Sequence, residues 1–437
     1  YIKKQGKGEN DKMTDMKKYN KSRWIALAAA GILVVGSMSG CGGSKGETDN
    51  NGKVSLTFAI WDKLQQDGMQ QMVDAFEKEN PDINVKIELT PYEQYWTKMQ
   101  ASGTGGSMPD VLWMHPEQVY DYARGGKIMD LSERIEDSEI ADLSKFPENV
   151  VKSLNVDGGQ YAIPKDYSTF GLWYNKDIFD ANNMDYPDDT WDWEKLKEAA
   201  AELTDTENGI YGLLVQYNTN DAAYHYIWQN EGDIINADET KSMFDDPNTI
   251  EAIEYMVDFI NKGYSPTMED YANTTADQYF ESGKAAMHIA GSWMCSEFME
   301  VDGLNCDVAP LAKGKQRADL CGGMGYSIAA NTEHPEEAWK FVEYLSGEEA
   351  NKIESESGAA ISAYEGTQDA WVNRFPDINA QVFVDASQYG FSSNYCSTRR
   401  EWIDIEKDYM TQIFSGQLPV EEGCKTLAAE IDKVLAE

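Results

Sequence analysis

The residue types that bind metals or carry catalysis are present in this sequence, but not in the spacings that such chemistry needs. The four histidines (His115, His225, His288 and His334) show neither HxH nor HxxxH spacing, so a histidine zinc site is not expected. The Gly-rich run 103–106 leads through a proline to a predicted strand instead of a helix, unlike a phosphate-binding loop. With 76 acidic residues, carboxylate pairs arise by chance and indicate nothing. We therefore expect neither an enzyme nor a cofactor or metal site.

Composition and charge narrow the class of protein further. The chain has 437 residues, 41% of them apolar and 26% charged, which is typical of a globular protein with room for two domains. Its 37 Lys and Arg against 76 Asp and Glu give a net charge of −39, a surface that repels nucleic acid. The 12 Trp and 24 Tyr are costly to expose unless something stacks on them, so we expect most of them to fill cores.

The first forty residues differ from the rest of the chain. A basic segment, Lys17 to Arg23, precedes an uncharged run whose apolar stretch, Ile25 to Val35, is short for a membrane span. This order predicts a secretory signal peptide over residues 1–40. Because residue 1 is Tyr, we expect translation to start at Met13 or Met16.

The end of this segment is typical of lipid attachment. Residues 38–41, Met-Ser-Gly-Cys, resemble the bacterial lipobox, although Met38 stands where Leu is preferred. Cys41 is then the lipidated first residue of the mature protein, and residues 41–52 include a Gly-rich, flexible tether. We expect the protein at the outer face of the bacterial cytoplasmic membrane, attached through the lipid alone.

Five further cysteines show no pattern that identifies partners. Their odd number and wide spacing indicate neither a zinc site nor a disulfide framework. Buried free thiols are the favoured interpretation, and a bridge between Cys306 and Cys321 stays open. The five are Cys295, Cys306, Cys321, Cys396 and Cys424.

The folded part begins with alternating strands and helices. Apolar residues alternate over 54–60 and 83–89, and between them Met69, Met72, Val73 and Phe76 have helical spacing. This predicts a βαβ unit with parallel strands, followed by a helix over 92–101 and a strand over 110–114. The same style continues with a helix capped by Thr190 or Asp189, a strand near 290, and helices over 335–345 and in the tail.

Eight segments resemble, in the same order, the family 1 extracellular solute-binding proteins of ABC importers. The resemblance runs from about residue 53 to the end of the chain. In the most specific segment, 171–176, Trp173 stands where the family usually has an aliphatic residue. The segments are 57–62, 76–85, 109–116, 161–183, 190–203, 279–294, 322–347 and 357–362.

This resemblance implies an α/β fold of the two-lobe, periplasmic-binding-protein type (type II-like), with a ligand cleft between the lobes. Lobe one is then residues 53–164 plus 327–364, and lobe two is 165–326 plus 365–437. The expected partners are a solute and the membrane permease of the importer, and we expect a monomer.

The resemblance also implies where a sugar ligand binds. Rings stack on the apolar faces of a pyranose, and polar side chains bond to its hydroxyls. Trp61 and Asp62 end the first strand on the cleft side of the family, and His115 and Glu117 follow a later one. Trp293 matches a family Gly-x-Trp whose ring stacks on sugar. The remaining candidates are Asp166, Tyr167, Asn220, Asp221, Tyr224, Gly323 and Trp402.

We therefore expect a lipoprotein that captures a carbohydrate, an oligosaccharide, by cleft closure and delivers it to a permease. Two alternatives remain open from the sequence. One is the same fold binding a polyamine, a phosphate ester or a peptide, of which the phosphate ester is disfavoured by the scarcity of Lys and Arg. The other is an extracellular carbohydrate-active enzyme or adhesin.

Overall fold

The computed structural model describes residues 52–217, 221–358, 360–392 and 398–436. The predicted signal segment, Cys41 and residues 42–51 of the tether lie outside these ranges, as do Asn220 and Cys396. Strands and helices alternate through the described part of the chain, and none of its helices combines the length and hydrophobicity that crossing a bilayer requires.

The strands of the described residues are short and number fourteen. They are β1 (Val54–Ile60), β2 (Ile83–Leu89), β3 (Val111–Met114), β4 (Asn155–Val156), β5 (Gly159–Gln160), β6 (Ile163–Ser168), β7 (Phe170–Asn175), β8 (Tyr211–Leu214), β9 (Ala285–Gly291), β10 (Cys306–Ala309), β11 (Asp319–Leu320), β12 (Gly322–Ile328), β13 (Ile361–Ser362) and β14 (Gly390–Phe391).

The α-helices of the same residues range from single turns to sixteen residues. They are α1 (Gln66–Glu79), α2 (Tyr92–Gly105), α3 (Pro116–Arg124), α4 (Ser132–Glu136), α5 (Glu148–Ser153), α6 (Lys176–Ala181), α7 (Trp193–Leu203), α8 (Asp221–Gln229), α9 (Pro247–Asn261), α10 (Met268–Tyr271), α11 (Ala276–Glu281), α12 (Cys295–Glu300), α13 (Pro335–Leu345), α14 (Glu348–Ser357), α15 (Gln368–Val372), α16 (Gln381–Ala386), α17 (Arg399–Phe414) and α18 (Val420–Leu435).

The predicted βαβ unit is confirmed. β1 and β2 are parallel, with Val54 opposite Ile83, and α1 connects them. The helix ends where Asn80 donates its backbone N–H to the carbonyl of Phe76 (2.9 Å). Phe58 and Ile60 of β1 are fully buried, so β1 lies in the core of its sheet.

Two larger sheets organise the molecule. The first has six strands in the order β13-β6-β12-β3-β1-β2, and the second has four in the order β10-β7-β9-β8. The chain leaves the first sheet after β6 and enters the second at β7, with Thr169 between them. It returns through Cys321, which lies between β11, a strand that pairs with β14 in a small separate sheet, and β12 of the first sheet. The boundaries expected from the sequence, after 164 and 326, thus fall inside β6 and β12.

The chain passes between the two large sheets a third time after α15. Phe383 of α16 packs its ring against Trp173 of β7 (5.9 Å between centroids), so the chain has rejoined the second sheet by then. The Thr169 hydroxyl donates to the backbone oxygen of Phe383 (2.6 Å), which ties this passage to the first one. All three passages therefore lie between the same two sheets.

Two helix ends differ from expectation. The helix predicted to be capped by Thr190 or Asp189 is α7, and its cap is Asp192, whose carboxylate accepts the N–H of Lys195 (2.9 Å). Thr190 instead bonds to Asp188 in the preceding turn. The helix predicted over 92–101 continues to Gly105, and Gly106 ends it with a φ of 70°, a conformation that glycine adopts at little cost.

The C-terminal helix and the buried cysteines are as the sequence predicts. Cys424, Leu427 and Ile431 of α18 are buried against the second sheet's core, as their helical spacing predicts. The four described cysteines, Cys295, Cys306, Cys321 and Cys424, are buried free thiols. Cys306 and Cys321 are therefore not bridged.

Candidate functional site

A cavity of about 610 Å³ lies where the strands pass from one sheet to the other. Its walls come from both sheets and from the chain beside two of the three passages, those at Thr169 and Cys321. The lining residues are Trp61, Asp62, Gln65, Tyr92, His115, Pro116, Asp166, Tyr167, Ser168, Phe170, Ser292, Trp293, Leu320, Gly322, Gly323, Met324, Ala360 and Ile361.

The first wall is built at the carboxyl ends of parallel strands, where α/β sheets hold ligands. Trp61 and Asp62 follow β1, Tyr92 begins the helix after β2, and His115 follows β3. His115 also caps α3, since its Nδ1 accepts the N–H of Glu117 (3.3 Å). Trp61 and His115 thus lie where the sequence predicted them.

An aromatic cluster supports this wall from below. The Trp61 ring meets Tyr95 at 4.9 Å and Trp113 at 5.1 Å between centroids, both edge-on, and Tyr92 at 5.6 Å. Tyr95 and Trp113 are fully buried, whereas Tyr92 is exposed at the mouth of the cavity. Trp61 is therefore fixed by its neighbours and presents its remaining surface to the cavity.

The opposite wall carries one exposed ring. Trp293 is 50% exposed and meets Phe170 edge-on at 5.3 Å between centroids. Its indole lies over Gly291, where an added Cβ would come within 2.1 Å of a ring atom. The glycine at 291 is therefore what allows the Trp293 ring to lie against the end of β9.

A buried ion network lies under the first wall. The Lys165 ammonium is 2.6 Å from a carboxylate oxygen of Asp166 and 2.6 Å from one of Glu354. It also donates to Gln65 Oε1 (2.6 Å), and Gln65 Nε2 donates to Asp62 (3.0 Å). Gln65, Asp62 and Asp166 all line the cavity, so one cation connects its polar floor.

The protonation of this network follows from its surroundings. Burial opposes the charge on Lys165, but the carboxylates of Asp166 and Glu354 outweigh it and raise the lysine pKa. Burial raises the pKa of Glu354 to about 7, and the nearby charge of Asp166 acts in the same direction. Lys165 is thus charged at neutral pH, and Glu354 takes up a proton more readily than an ordinary glutamate does.

Gly323 lines the cavity, but its small size serves packing. A Cβ at this position would lie 2.5 Å from the backbone oxygen of Asp166 and 2.6 Å from Val150. The neighbouring Gly322 has open space where its Cβ would be. Gly323 thus allows β12 to pack closely on β6 and α5, and because it also lines the cavity, its contact with a ligand stays a prediction.

Several predicted residues lie elsewhere. Tyr224 and Trp402 are fully buried in the core of the second sheet and do not line the cavity. The Tyr224 hydroxyl donates to a carboxylate oxygen of Glu406 (2.9 Å), and the guanidinium of Arg399 lies 5.2 Å from the Trp402 ring centre. Both rings face inward from α8 and α17, which corrects their assignment to the cavity wall.

Some of the predicted acidic residues line the cavity and others do not. Asp62 and Asp166 line the cavity with Tyr167, whereas Glu117 lies behind His115, its carboxylate 3.9 Å from the His115 ring nitrogen. Asp221 is the first residue of α8.

Sequence reasoning missed several lining residues. Tyr92 could have been found, because it is an aromatic residue just after the second parallel strand. Phe170 could have been found as the first residue of the second sheet beyond the crossing. Gln65 had no signal of its own, since its role depends on Lys165 folding beneath it.

The residues that line the cavity indicate what kind of ligand it suits. None of its described lining residues is Lys or Arg, and the polar ones include two carboxylates, Asp62 and Asp166, beside aromatic rings. No three His, Cys, Asp or Glu side chains among the described residues converge as a metal site. The arrangement suits a molecule with apolar faces and hydroxyl donors.

Comparison with known proteins identifies similar sequences. Residues 62–352 match the family described as bacterial extracellular solute-binding protein. A maltodextrin-binding protein of Bacillus subtilis is 27% identical over 361 residues, 80% of this chain and 80% of that protein. A multiple sugar-binding protein of Streptococcus mutans is 24% identical over 424 residues, 91% of this chain and 93% of that protein.

Solved structures share the fold. An ABC substrate-binding protein from Listeria monocytogenes, in complex with cycloalternan, has a TM-score of 0.81 and 26% identity, covering 88% of this chain and 99% of that one. The sugar-binding protein MalE from Xanthomonas citri has a TM-score of 0.76 and 19% identity, covering 88% and 98%. The predicted two-lobe α/β fold is therefore confirmed, each large sheet forming the centre of one lobe.

Proposed function

This chain belongs to the bacterial extracellular solute-binding protein family, and from that premise we propose that it captures an oligosaccharide for an ABC importer. The observation that carries the proposal is the cavity itself. Aromatic rings face it from both lobes, Trp61 and Tyr92 on one side and Trp293 on the other. Acceptor oxygens lie between these rings, and no Lys or Arg is among the described lining residues.

Each part of the cavity has a counterpart in a sugar. The apolar C–H face of a pyranose stacks on the exposed Trp293 ring, and a second ring position is offered by Tyr92 and Trp61. Asp62 and Asp166 accept hydrogen bonds from sugar hydroxyls, and bonds to charged acceptors are the stronger kind. The relatives that bind maltodextrin and several sugars support this ligand class.

Delivery requires that the bound form differ from the free form. Because the ligand contacts both walls, it binds best when the lobes close, and its binding energy shifts the population toward closure. The membrane permease then recognises the closed form. We place the lobe boundaries at Thr169, at Cys321 and between 372 and 381, where the chain changes sheet.

A second candidate ligand follows from the same acidic lining. Asp62 and Asp166 would also attract the ammonium groups of a polyamine, and aromatic rings attract cations. A phosphate ester fits poorly, because the described cavity lining offers it no Lys or Arg. The two candidates differ in charge, which makes them easy to separate by experiment.

A thermal-shift panel tests the proposal. It contains maltotriose, galactotriose, glucose, spermidine, a tetrapeptide and glucose 6-phosphate. A ligand at about 100 times its dissociation constant stabilises the fold by roughly 2.7 kcal/mol, which raises the melting temperature by a few degrees. We expect a shift with an oligosaccharide, which is then recovered chemically intact.

Other results would revise the proposal in defined ways. A shift with spermidine alone would replace the carbohydrate by a polyamine. Recovery of a cleaved sugar would make the protein an enzyme. The phosphorylated sugar serves as the control, since it differs from glucose by one anionic group.

We also propose that the protein acts outside the cytoplasmic membrane as a monomer, anchored through a lipid on Cys41. The order of a basic segment, an apolar stretch and a cysteine over residues 17–41 supports export and the lipid anchor. In a bacterial host, Cys41→Ser should move the protein from the membrane fraction to the soluble one. Equal membrane association of both forms would argue against the lipid.

A further inference from the structure

Lys165 occupies an irregular position in β6. The antiparallel pairing of β6 with β12 places Asp166 opposite Met324 and Pro164 opposite Gly325, so Lys165 is an extra residue, a β-bulge. Neighbouring residues of a regular strand point to opposite faces. At the bulge, the Lys165 ammonium instead reaches the carboxylate of the adjacent Asp166 (2.6 Å).

The bulge brings the Lys165 ammonium under the cavity. The side chain is fully buried and reaches Asp166 and Gln65 directly, each at 2.6 Å. Gln65 extends the connection to Asp62 (3.0 Å). Asp166 is held from its other oxygen by the N–H of Met324 (3.1 Å). The cation therefore fixes two carboxylates and one amide whose side chains line the cavity.

Two more groups hold the Lys165 ammonium itself. Glu354 of α14 forms an ion pair with it at 2.6 Å. The Trp113 ring centre is 4.6 Å from its nitrogen, and Trp113 also supports Trp61. The polar floor and the aromatic wall of the cavity thus share one buried cation.

We propose that Lys165 is a positioning residue for carbohydrate binding, which acts through Asp166 and through Gln65 on Asp62. This rests on the proposed function. The Lys165 side chain is fully buried and is not among the residues that line the cavity. It holds the acceptor oxygens in place before the sugar arrives, so that hydroxyls meet them without further ordering, which is where preorganisation gains affinity.

The test removes the cation together with one of its two carboxylate partners, so that Asp166 is the one carboxylate of the pair network that remains. Lys165→Met is combined with Glu354→Gln, and Glu354→Gln alone is the reference. Isothermal titration with maltotriose and with galactotriose should give a dissociation constant about tenfold higher for the double variant. In an added Asp166→Asn background, the same lysine change should raise the dissociation constant clearly less, by about threefold at most, because only the path through Gln65 to Asp62 remains.

Lys197→Met is the matched control. Lys197 also pairs with a carboxylate, that of Asp258, and lies 5.4 Å from the Tyr255 ring centre, but it does not line the cavity or contact its lining carboxylates. Its loss should leave the dissociation constant within about twofold of wild type.

Two results would overturn the role of Lys165 while the wild-type protein binds sugar. One is equal affinity of the double variant and its reference. The other is a tenfold loss that recurs in full with Asp166→Asn, which would show that Lys165 does not act through Asp166. Wild-type protein that binds neither oligosaccharide would instead overturn the proposed function, and this inference with it.

Discussion

The exposure of a tryptophan ring decides what it can contribute. Trp293 is 50% exposed beside the cavity, whereas Trp402 is fully buried among apolar residues of the second lobe. A half-exposed ring offers a face to a ligand, and a buried ring of that size contributes mainly to packing. The two residues should therefore respond oppositely to the same substitution.

Trp293→Ala should weaken oligosaccharide binding by at least about tenfold and leave the melting temperature nearly unchanged. Trp402→Ala is the comparison, and it should lower the free energy of unfolding by about 3–5 kcal/mol. Calorimetric titration and urea unfolding measure the two effects. Unchanged affinity in Trp293→Ala would remove this ring from the binding site.

The sequence could distinguish these residues only in part. Trp293 lies two residues after the end of β9, a position that brings side chains to the cavity edge. Trp402 lies within the long helix α17, where both the inner and outer faces carry polar and apolar residues. Which face turns inward depends on packing against α18, which follows α17 in the chain, and against α9, which is distant in sequence. Helical spacing alone therefore could not place the Trp402 ring.

His225 should make stability depend on pH. It is buried between Phe170 and Tyr226, neither ring nitrogen has a hydrogen-bond partner among the described residues, and burial lowers its pKa to about 3. The unfolded histidine titrates near 6.5. The neutral, buried His225 therefore contributes a stability that is complete above pH 6.5. This contribution is lost as the pH falls toward 3, because in that range only the unfolded chain gains the proton.

His225→Leu should therefore lose less stability on acidification than wild type. The difference should grow by up to about 1.4 kcal/mol per pH unit below 6.5. Urea unfolding at pH 7, 6 and 5 measures it. Parallel stability curves for the two proteins would contradict the expectation.

At the scale of elements, β6 shows that pairing with a neighbouring strand can outweigh the local preference of a proline. The family resemblance placed the first lobe boundary after Pro164, a residue that cannot donate a hydrogen bond to a strand ladder. In the structure, Pro164 lies beside the bulge at Lys165, where the register with β12 shifts. The strand therefore continues to Ser168, and the sheet changes at Thr169.

Asp319 joins two of the crossings. Its fully buried carboxylate accepts the N–H of Phe170 (3.1 Å), and burial raises its pKa well above the usual range. Asp319→Leu should lower the free energy of unfolding by about 1–3 kcal/mol, because the Phe170 N–H loses its acceptor. Asp319→Asn keeps an acceptor oxygen and should cost less in the same urea titration. Equal losses would show that this hydrogen bond is unimportant.

Helix starts show the limit of sequence reasoning at this scale. Asp188, Asp189, Thr190 and Asp192 are all residues that cap helices well. The structure uses Asp188 for a turn and Asp192 for the cap, because the N–H of Trp193 bonds to the distant Lys313 carbonyl (3.1 Å). By contrast, α13 begins at Pro335 as predicted, since proline fixes the first turn locally.

At the scale of the whole molecule, ligand binding should change the shape of the protein. The cavity takes walls from both lobes, so a sugar that bonds to both draws them together. The radius of gyration from small-angle X-ray scattering should fall with saturating oligosaccharide and stay constant with glucose 6-phosphate. An unchanged value with a sugar that binds tightly would show that recognition does not require closure.

The three passages between sheets also constrain how such a protein can diversify. The first sheet draws its strands from four separate stretches of chain, 54–114, 163–168, 322–328 and 361–362. A single genetic crossover therefore joins fragments of both lobes and cannot exchange one lobe intact. A hybrid that transplants a lobe needs matched joints at Thr169, at Cys321 and within 373–380. New ligand preferences are thus reached more readily by point substitutions around the cavity than by shuffling of modules.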